Sequence, residues 1–130
     1  WENHSIVFEC SHENDEKIGA GMPPIKTEAG WISIYHHVER QSGILIYSMR
    51  AALLDLKYPA KVISKLPYTI LEPEMIYERE GWVRDVTFPS GGFIRDGIIH
   101  VYYGAADTYC ALAAGDVSEL LKEFEQYRFM

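Results

Sequence analysis

Hydrophobic and polar residues alternate over several short stretches of this chain, and turn-forming residues separate the stretches. In residues 31–36, Ile32 and Ile34 share one face of an extended segment, because the side chains of a strand point alternately to its two faces. Similar short apolar stretches between turn signals predict a chain built mainly of β-strands. The further predicted strands cover residues 44–47, 51–56, 93–95, 98–103 and 109–114.

Two local signals refine this pattern. Asp96-Gly97 lies between two apolar runs, and this pair favours a tight hairpin turn whose central residues both need a positive φ angle. Near the end of the chain, Asp116 and Glu119 have the spacing of a helix capping box. Apolar residues follow at helical spacing, so we predict a short helix over residues 117–126.

The pattern also occurs twice. Residues 18–63 and 83–121 contain similar runs of turns and strands, at an offset of roughly 60–70 residues that suits β repeats. We therefore predict one partial domain with repeat units at about 1–63 and 64–118, followed by a helical tail. Units of about four strands match the blades of a β-propeller, and exposed strand edges favour a homo-oligomer. The alternative is one compact β-sandwich whose halves are similar by accident.

Composition narrows the range of functions. The 130 residues carry a net charge of −7, which argues against nucleic acid as a partner. Cys10 and Cys110 are too few and too far apart for a disulfide framework or a zinc site, so we expect a cytoplasmic protein. No apolar run is long enough for a membrane span, and we expect no membrane partner. The chain starts at Trp1 without a signal peptide, and we expect the natural polypeptide to extend upstream.

A set of short motifs resembles the glycoside hydrolase family 130 enzymes, which are mannoside phosphorylases and related mannosidases. The resemblance covers nearly the whole chain and depends on the order and spacing of the motifs together. It implies a five-bladed β-propeller with its active site in the central channel, of which this chain looks like the C-terminal two blades. The motifs are KIGAG (17–21), PPIKT (23–27), GW (30–31), IYH (34–36), AALLDL (51–56), ILEP (70–73), YEREG (77–81) and YYGAAD (102–107).

The resemblance implies a reaction as well. Phosphorylases of this family cleave a β-mannosidic bond with inorganic phosphate as co-substrate and release α-mannose 1-phosphate with inversion, and no cofactor is implied. The proton-donating Asp and an arginine pair lie in the N-terminal half of the family. We therefore assign no catalytic residue here and expect the isolated chain to be inactive. The alternatives are an inverting β-mannosidase of the same family, or a non-catalytic carbohydrate-binding module.

Two residues match the phosphate side of the family. Lys26 follows Pro-Pro-Ile, and the resemblance implies a phosphate contact, whereas the sequence alone favours a solvated turn lysine. His36 matches a family histidine that can donate to phosphate or sugar oxygens, and the alternative is a strand-end histidine bonded to the main chain. His37 stands where the family often has Gly. Because neighbours on a strand face opposite ways, the His-His pair does not predict a metal site.

Four residues are candidates for the sugar side, where a mannoside or manno-oligosaccharide is the expected partner. Asp107 matches a family aspartate that binds mannose hydroxyls, since a carboxylate accepts two hydrogen bonds, and the alternative is an ordinary turn aspartate. Tyr47 matches a channel-lining tyrosine. Phe88 and Tyr103 are candidate walls for a pyranose ring, although aromatic residues at strand spacing more often belong to a core.

Overall fold

The computed structural model describes residues 1–10 and 15–129, which form two antiparallel sheets and a short C-terminal helix. The all-β prediction is confirmed at this level. In chain order the elements are β1 (Asp15–Ala20), β2 (Ile25–Lys26), β3 (Trp31–Gln41), β4 (Ile44–Leu54), β5 (Val62–Lys65), α1 (Ile76–Arg79), β6 (Thr87–Arg95), β7 (Ile98–Ala105), β8 (Tyr109–Asp116) and α2 (Val117–Gln126).

The first sheet has the strand order β1-β3-β4-β5, and β2 also pairs with β3. Its centre is the long β3–β4 hairpin, which stays in register from Trp31 opposite Leu54 to Gln41 opposite Ile44. The prediction of separate strands at 44–47 and 51–56 was wrong. Residues 48–50 continue the strand because every residue of β4 pairs with β3.

The second sheet has the order β6-β7-β8. The hairpin predicted at Asp96-Gly97 is confirmed: it joins β6 to β7, and φ is 52° and 75° at its two central residues. This repeat has three strands in the described structure, where about four were predicted. The segment before it forms isolated bridges to the first sheet, from Leu71 to Met49 and from Val86 to Tyr47, and no further strand of the second sheet. The predicted repeat boundary at residues 63 and 64 falls inside β5, which pairs with β4.

The core lies between the two sheets, where apolar residues of β3 and β4 face those of β7. This burial is the main favourable term in the folding of the chain. The alternation predicted for residues 31–36 is confirmed, since Ile32 and Ile34 both point into this core. The buried members are Met22, Ile32, Ile34, Met49, Ala51, Leu53, Leu66, Ile99, Val101, Tyr103, Ala105 and Phe124.

The C-terminal helix α2 has the bounds that the sequence predicted. The Asp116 carboxylate accepts a hydrogen bond from the Glu119 amide at 3.1 Å and caps the first turn. The helix docks through Phe124, whose side chain is 0% exposed and whose carbonyl accepts a hydrogen bond from the Ser64 hydroxyl of β5. No helix within residues 1–10 and 15–129 is long and apolar enough to cross a membrane.

We expect Phe124→Ala to lower the free energy of unfolding by about 3–5 kcal/mol, because it leaves a cavity where α2 meets the sheets. Phe129→Ala is the matched control, since the Phe129 side chain is 58% exposed and its loss should cost less than about 0.5 kcal/mol. Urea unfolding of both variants measures the difference. Equal losses would show that α2 does not contribute to the core.

Candidate functional site

A cavity of about 290 Å³ lies where the two sheets meet. The first sheet contributes Tyr47 from β4, and the second contributes Phe88 from β6. The turn between β7 and β8 adds Asp107. The structure thus brings three of the four predicted sugar-side residues together on one cavity, which two aromatic residues and one carboxylate residue line. The lining residues are Tyr47, Val83, Val86, Phe88, Gly104 and Asp107.

Main-chain bonds between the sheets hold the cavity in shape. The amide of Tyr47 donates to the carbonyl of Asp85 at 2.9 Å, and Tyr47 forms a parallel bridge with Val86. The Thr87 hydroxyl donates to the carbonyl of Tyr47 at 3.1 Å. Both main-chain polar groups of Tyr47 are therefore bonded to the segment that begins the second sheet. This pairing fixes Tyr47 opposite Val86 and Phe88.

Asp107 lies in a tight turn, as the alternative interpretation of this residue as a turn aspartate expected. The Thr108 amide donates to the Ala105 carbonyl at 3.0 Å and closes the turn. Ala106 and Asp107 between them have φ of 50° and 52°, which costs free energy for residues with a Cβ atom. The signal was weak because Ala is not a usual residue at such a position, unlike Gly97 in the preceding hairpin. The turn holds the Asp107 carboxylate at the cavity.

His36 lies beside this cavity. Its ring stacks on Phe88, with the ring centroids 4.3 Å apart and the planes at 28°. Its Nδ1 is 3.2 Å from the carbonyl oxygen of Ala20, and because a carbonyl only accepts, Nδ1 carries the proton and Nε2 is left as an acceptor in the neutral ring. Burial lowers the pKa of His36, and the charge of Lys17 lowers it further, although the bond to Ala20 opposes the shift. The site thus favours a neutral imidazole.

Lys17 is a cation close to a cavity residue, and the sequence did not single it out. Its Nζ lies 5.3 Å from the ring centroid of Tyr47, a cation–π distance. β1 and β4 both pair with β3, and Lys17 and Tyr47 are both opposite Val38. This juxtaposition depends on the register of three strands. The motif KIGAG therefore contained the residue but gave no indication of its neighbours.

Lys26 lies elsewhere on the first sheet. It pairs with Trp31 across β2 and β3, and its Nζ lies 5.8 Å from the Trp31 ring. His36 is five residues further along β3, roughly 16 Å at the rise of a strand. The structure does not bring Lys26 and His36 together, and the phosphate role of Lys26 stays a prediction.

Tyr103 lies in the core and does not line the cavity. Its side chain is 2% exposed, and its hydroxyl donates to a carboxylate oxygen of Glu78 at 2.5 Å. Burial and this bond raise the pKa of Tyr103. Glu78 is also buried, and its carboxylate accepts the amides of Glu74 and Met75. The role of Tyr103 as a sugar wall stays a prediction, and its observed contacts are those of a structural residue.

His36 and His37 face opposite sides of the sheet, as strand geometry predicted. His36 contacts Phe88 of the second sheet, whereas His37 pairs with Ser48 and is fully buried. Within the described residues, no three His, Cys, Asp or Glu side chains are grouped closely enough to hold a metal ion. The site as described therefore offers hydrogen-bonding groups, aromatic rings and one nearby ammonium.

Two antiparallel sheets place this chain in the all-β class, with a cavity at their junction that is lined by apolar and aromatic residues and one carboxylate. Comparison with known protein families identifies the particular family. A family model described as beta-1,4-mannooligosaccharide phosphorylase matches residues 2–126. The chain belongs to glycoside hydrolase family 130, as its motifs suggested.

The relatives are phosphorylases that act on several mannosides. A 1,2-beta-oligomannan phosphorylase of Thermoanaerobacter sp. (strain X514) is 41% identical over 122 residues, which is 92% of this chain and 40% of the relative. A beta-1,4-mannooligosaccharide phosphorylase of Ruminococcus albus is 39% identical over 108 residues, which is 82% of this chain and 32% of the relative. The chain thus spans at most two fifths of the length of these curated relatives.

A solved structure shows the same fold. The beta-1,2-mannobiose phosphorylase of Listeria innocua, in complex with beta-1,2-mannobiose, superposes with a TM-score of 0.76 at 40% identity. The match covers 85% of this chain and 30% of that one. The two sheets described here are therefore an arrangement that this family uses in a larger protein.

We expect the stability of the chain to fall as the pH drops below the ordinary histidine pKa of 6.5. Because the pKa of His36 is lowered in the folded state, the unfolded chain binds this proton first, and protonation favours unfolding until the folded-state pKa is passed. Urea midpoints measured from pH 8 to 5 test this. His36→Gln should remove part of the dependence, whereas His4→Gln, at an exposed position, should leave it unchanged. Identical pH profiles for the two variants would contradict the assignment.

We expect Gly19→Ala to displace the His36 ring, because a Cβ at Gly19 would lie 2.4 Å from its Cε1 atom. The ring would leave the face of Phe88, and its NMR chemical shifts would lose the ring-current contribution. Gly91→Ala is the matched control, since a Cβ there meets nothing within 4 Å. An unchanged His36 spectrum in Gly19→Ala would refute this packing.

Proposed function

We propose that this chain is the C-terminal part of a β-mannoside phosphorylase, which cleaves its substrate with inorganic phosphate and releases α-mannose 1-phosphate with inversion. The observation that carries the proposal is that Asp107, Tyr47 and Phe88 line one cavity, with His36 and Lys17 beside it. The phosphorylase names of several relatives support the same reaction.

On the sugar side, Asp107 binds mannose. Its carboxylate is exposed and held in a turn, so that it accepts hydrogen bonds from two neighbouring hydroxyls without reorganising. Phe88 offers the apolar surface that the C–H groups of a pyranose need, and its ring is kept in place by His36. Tyr47 closes the opposite wall of the cavity.

On the phosphate side, His36 and Lys17 act together. The Lys17 ammonium supplies a positive charge near Tyr47, and the Nε2 atom of His36 is free of the bond that holds Nδ1. An anion bound beside this ring favours the imidazolium, so we expect phosphate to raise the pKa of His36. Lys26 adds to the phosphate site only if another part of the polypeptide brings phosphate to the far end of β3.

The proton donor is proposed to come from another part of the polypeptide. A general acid must lie within hydrogen-bond reach of the leaving oxygen, and we assign no such group among the described residues. Phosphate takes the place of the water that an inverting hydrolase activates, so the reaction needs no second carboxylate as a base. The described residues bind and orient the two substrates.

We also propose that the two sheets are adjacent blades of a five-bladed propeller. The outer face of the second sheet supports this, because it leaves large apolar side chains exposed that a further sheet would bury. Phe93 is 42% and Tyr102 43% exposed, and Leu112 lies beside them on β8. The limited share of each relative that the chain spans leaves room for such sheets.

The phosphate side is tested with the complete polypeptide encoded by the gene that contains this sequence. We expect Lys17→Ala to raise the KM for phosphate by about tenfold to a hundredfold, which corresponds to about 1.5–3 kcal/mol for a hydrogen bond to a charged group. Lys26→Ala, the matched control, should change it less than about twofold. Release of α-mannose 1-phosphate from a β-mannoside is the assay.

Two results would contradict the proposal. Mannoside cleavage at full rate without phosphate would indicate an inverting β-mannosidase. Binding of mannosides by the complete polypeptide with no turnover would indicate a carbohydrate-binding module. If Lys26→Ala raised the KM for phosphate more than Lys17→Ala did, the phosphate contact would belong to Lys26, as the family motifs suggested.

A further inference from the structure

Trp82 stands out beside the cavity. Its side chain is 87% exposed, although tryptophan is among the most apolar surfaces that a protein carries. No hydrogen bond or ring contact occupies the indole within the described part of the chain. It follows Gly81 and precedes Val83, which lines the cavity. A large exposed ring at this position calls for a ligand or a partner.

The main chain around Trp82 is firmly held. The Trp82 amide donates to the Thr108 hydroxyl at 2.8 Å, and the Val83 amide donates to the Ala106 carbonyl at 3.1 Å. Gly81 passes so close to the turn that a Cβ would lie 2.6 Å from the Ala106 oxygen. The base of the indole is thus fixed to the same turn that carries Asp107, so little main-chain entropy is lost when a ligand packs on the ring.

A second, shallow recess that is open to solvent lies at this point, lined by Gly81, Trp82 and Thr108. Each segment that forms it also lines the first cavity: Trp82 adjoins Val83, and Thr108 adjoins Asp107. A chain of sugar units that leaves the first cavity past Asp107 therefore meets the recess next. The recess and the cavity are thus formed by adjacent residues of the same two segments.

We propose that Trp82 is the platform of an accessory sugar subsite, which takes a further mannosyl unit of an oligosaccharide whose first unit occupies the cavity. The inference depends on the function proposed above. The indole face would pack on the C–H groups of a pyranose, whose hydroxyls stay in water or reach the exposed Asp107 carboxylate.

The surroundings favour a sugar over a protein partner. Glu80 and Arg84, on either side of the Trp82–Val83 pair, are both exposed. A protein interface depletes charged residues around its apolar core, whereas a hydroxylated ligand is compatible with them. A single aromatic surface can pack on the C–H groups of a pyranose, and the neighbouring charged groups can contact its hydroxyls.

The subsite is tested in the complete polypeptide with β-mannobiose and β-mannotriose of the same linkage. We expect Trp82→Ala to lower kcat/KM for the trisaccharide about tenfold more than for the disaccharide, because only the trisaccharide loses packing on the aromatic ring; tenfold corresponds to about 1.4 kcal/mol. Trp82→Phe should restore most of the difference. Tyr58→Ala is the matched control, since Tyr58 is 60% exposed on the distant turn between β4 and β5.

Calorimetric titration with both sugars accompanies the kinetics, so that binding is measured apart from turnover. Equal losses for the two sugars in Trp82→Ala, or no loss for either, would overturn the subsite and leave the proposed function intact. Failure of the unmodified protein to bind or turn over either sugar would overturn the proposed function, and the subsite with it. A lower melting temperature in Trp82→Ala with unchanged sugar selectivity would identify a structural contact instead.

Discussion

The main-chain pairing of Tyr47 with residues 85–87 is the interaction on which the rest of the site depends. Tyr47 sits in β4, yet its amide bonds to Asp85 and its carbonyl accepts the Thr87 hydroxyl. These bonds satisfy polar groups that the contact between the sheets would otherwise bury unpaired, at a cost of about 1–3 kcal/mol each. They also set the distance between the sheets at the cavity. The width of the cavity is therefore fixed by hydrogen-bond length, which varies much less than side-chain packing.

The hydrogen bonds of Val86, which lines the cavity on the side of the second sheet, extend this pairing. The Val86 amide donates to the Glu78 carbonyl, and the Val86 carbonyl accepts the Ala106 amide, so that α1, Val86 and the Asp107 turn form one bonded series. Glu78, in α1, stabilises the first part of this series of hydrogen bonds. A buried carboxylate without a cation is costly, but this one accepts two main-chain amides and the Tyr103 hydroxyl. The bonds of Glu78 and Ala106 together offset the positive φ angles of the turn, which holds its carboxylate ready for a ligand.

The elements with short-range signals could be predicted from the sequence. The Asp96-Gly97 hairpin and the capped helix α2 are decided by residues that are adjacent or three apart, and both were placed correctly. Long-range pairing was harder. Residues 48–50 lie between the stretches predicted at 44–47 and 51–56, and pairing with the eleven-residue strand β3 keeps them in one continuous strand. For the same reason Tyr47, Phe88 and Asp107 were found as single candidates by family resemblance, whereas their meeting, and the approach of Lys17, depend on registers across two sheets.

Charged and polar groups are distributed over both sheets around the cavity. The first sheet provides Lys17 and the imidazole of His36, and the second provides the carboxylate of Asp107. If all three lay on one sheet edge, the ammonium would pair with the carboxylate, and neither would be free for a ligand. Their separation is maintained by the apolar core between the sheets and by the stacked rings of His36 and Phe88. In the function proposed above, an anion and a neutral sugar are then held side by side, each opposite the group that suits it, which is the arrangement that an attack of phosphate on a sugar requires.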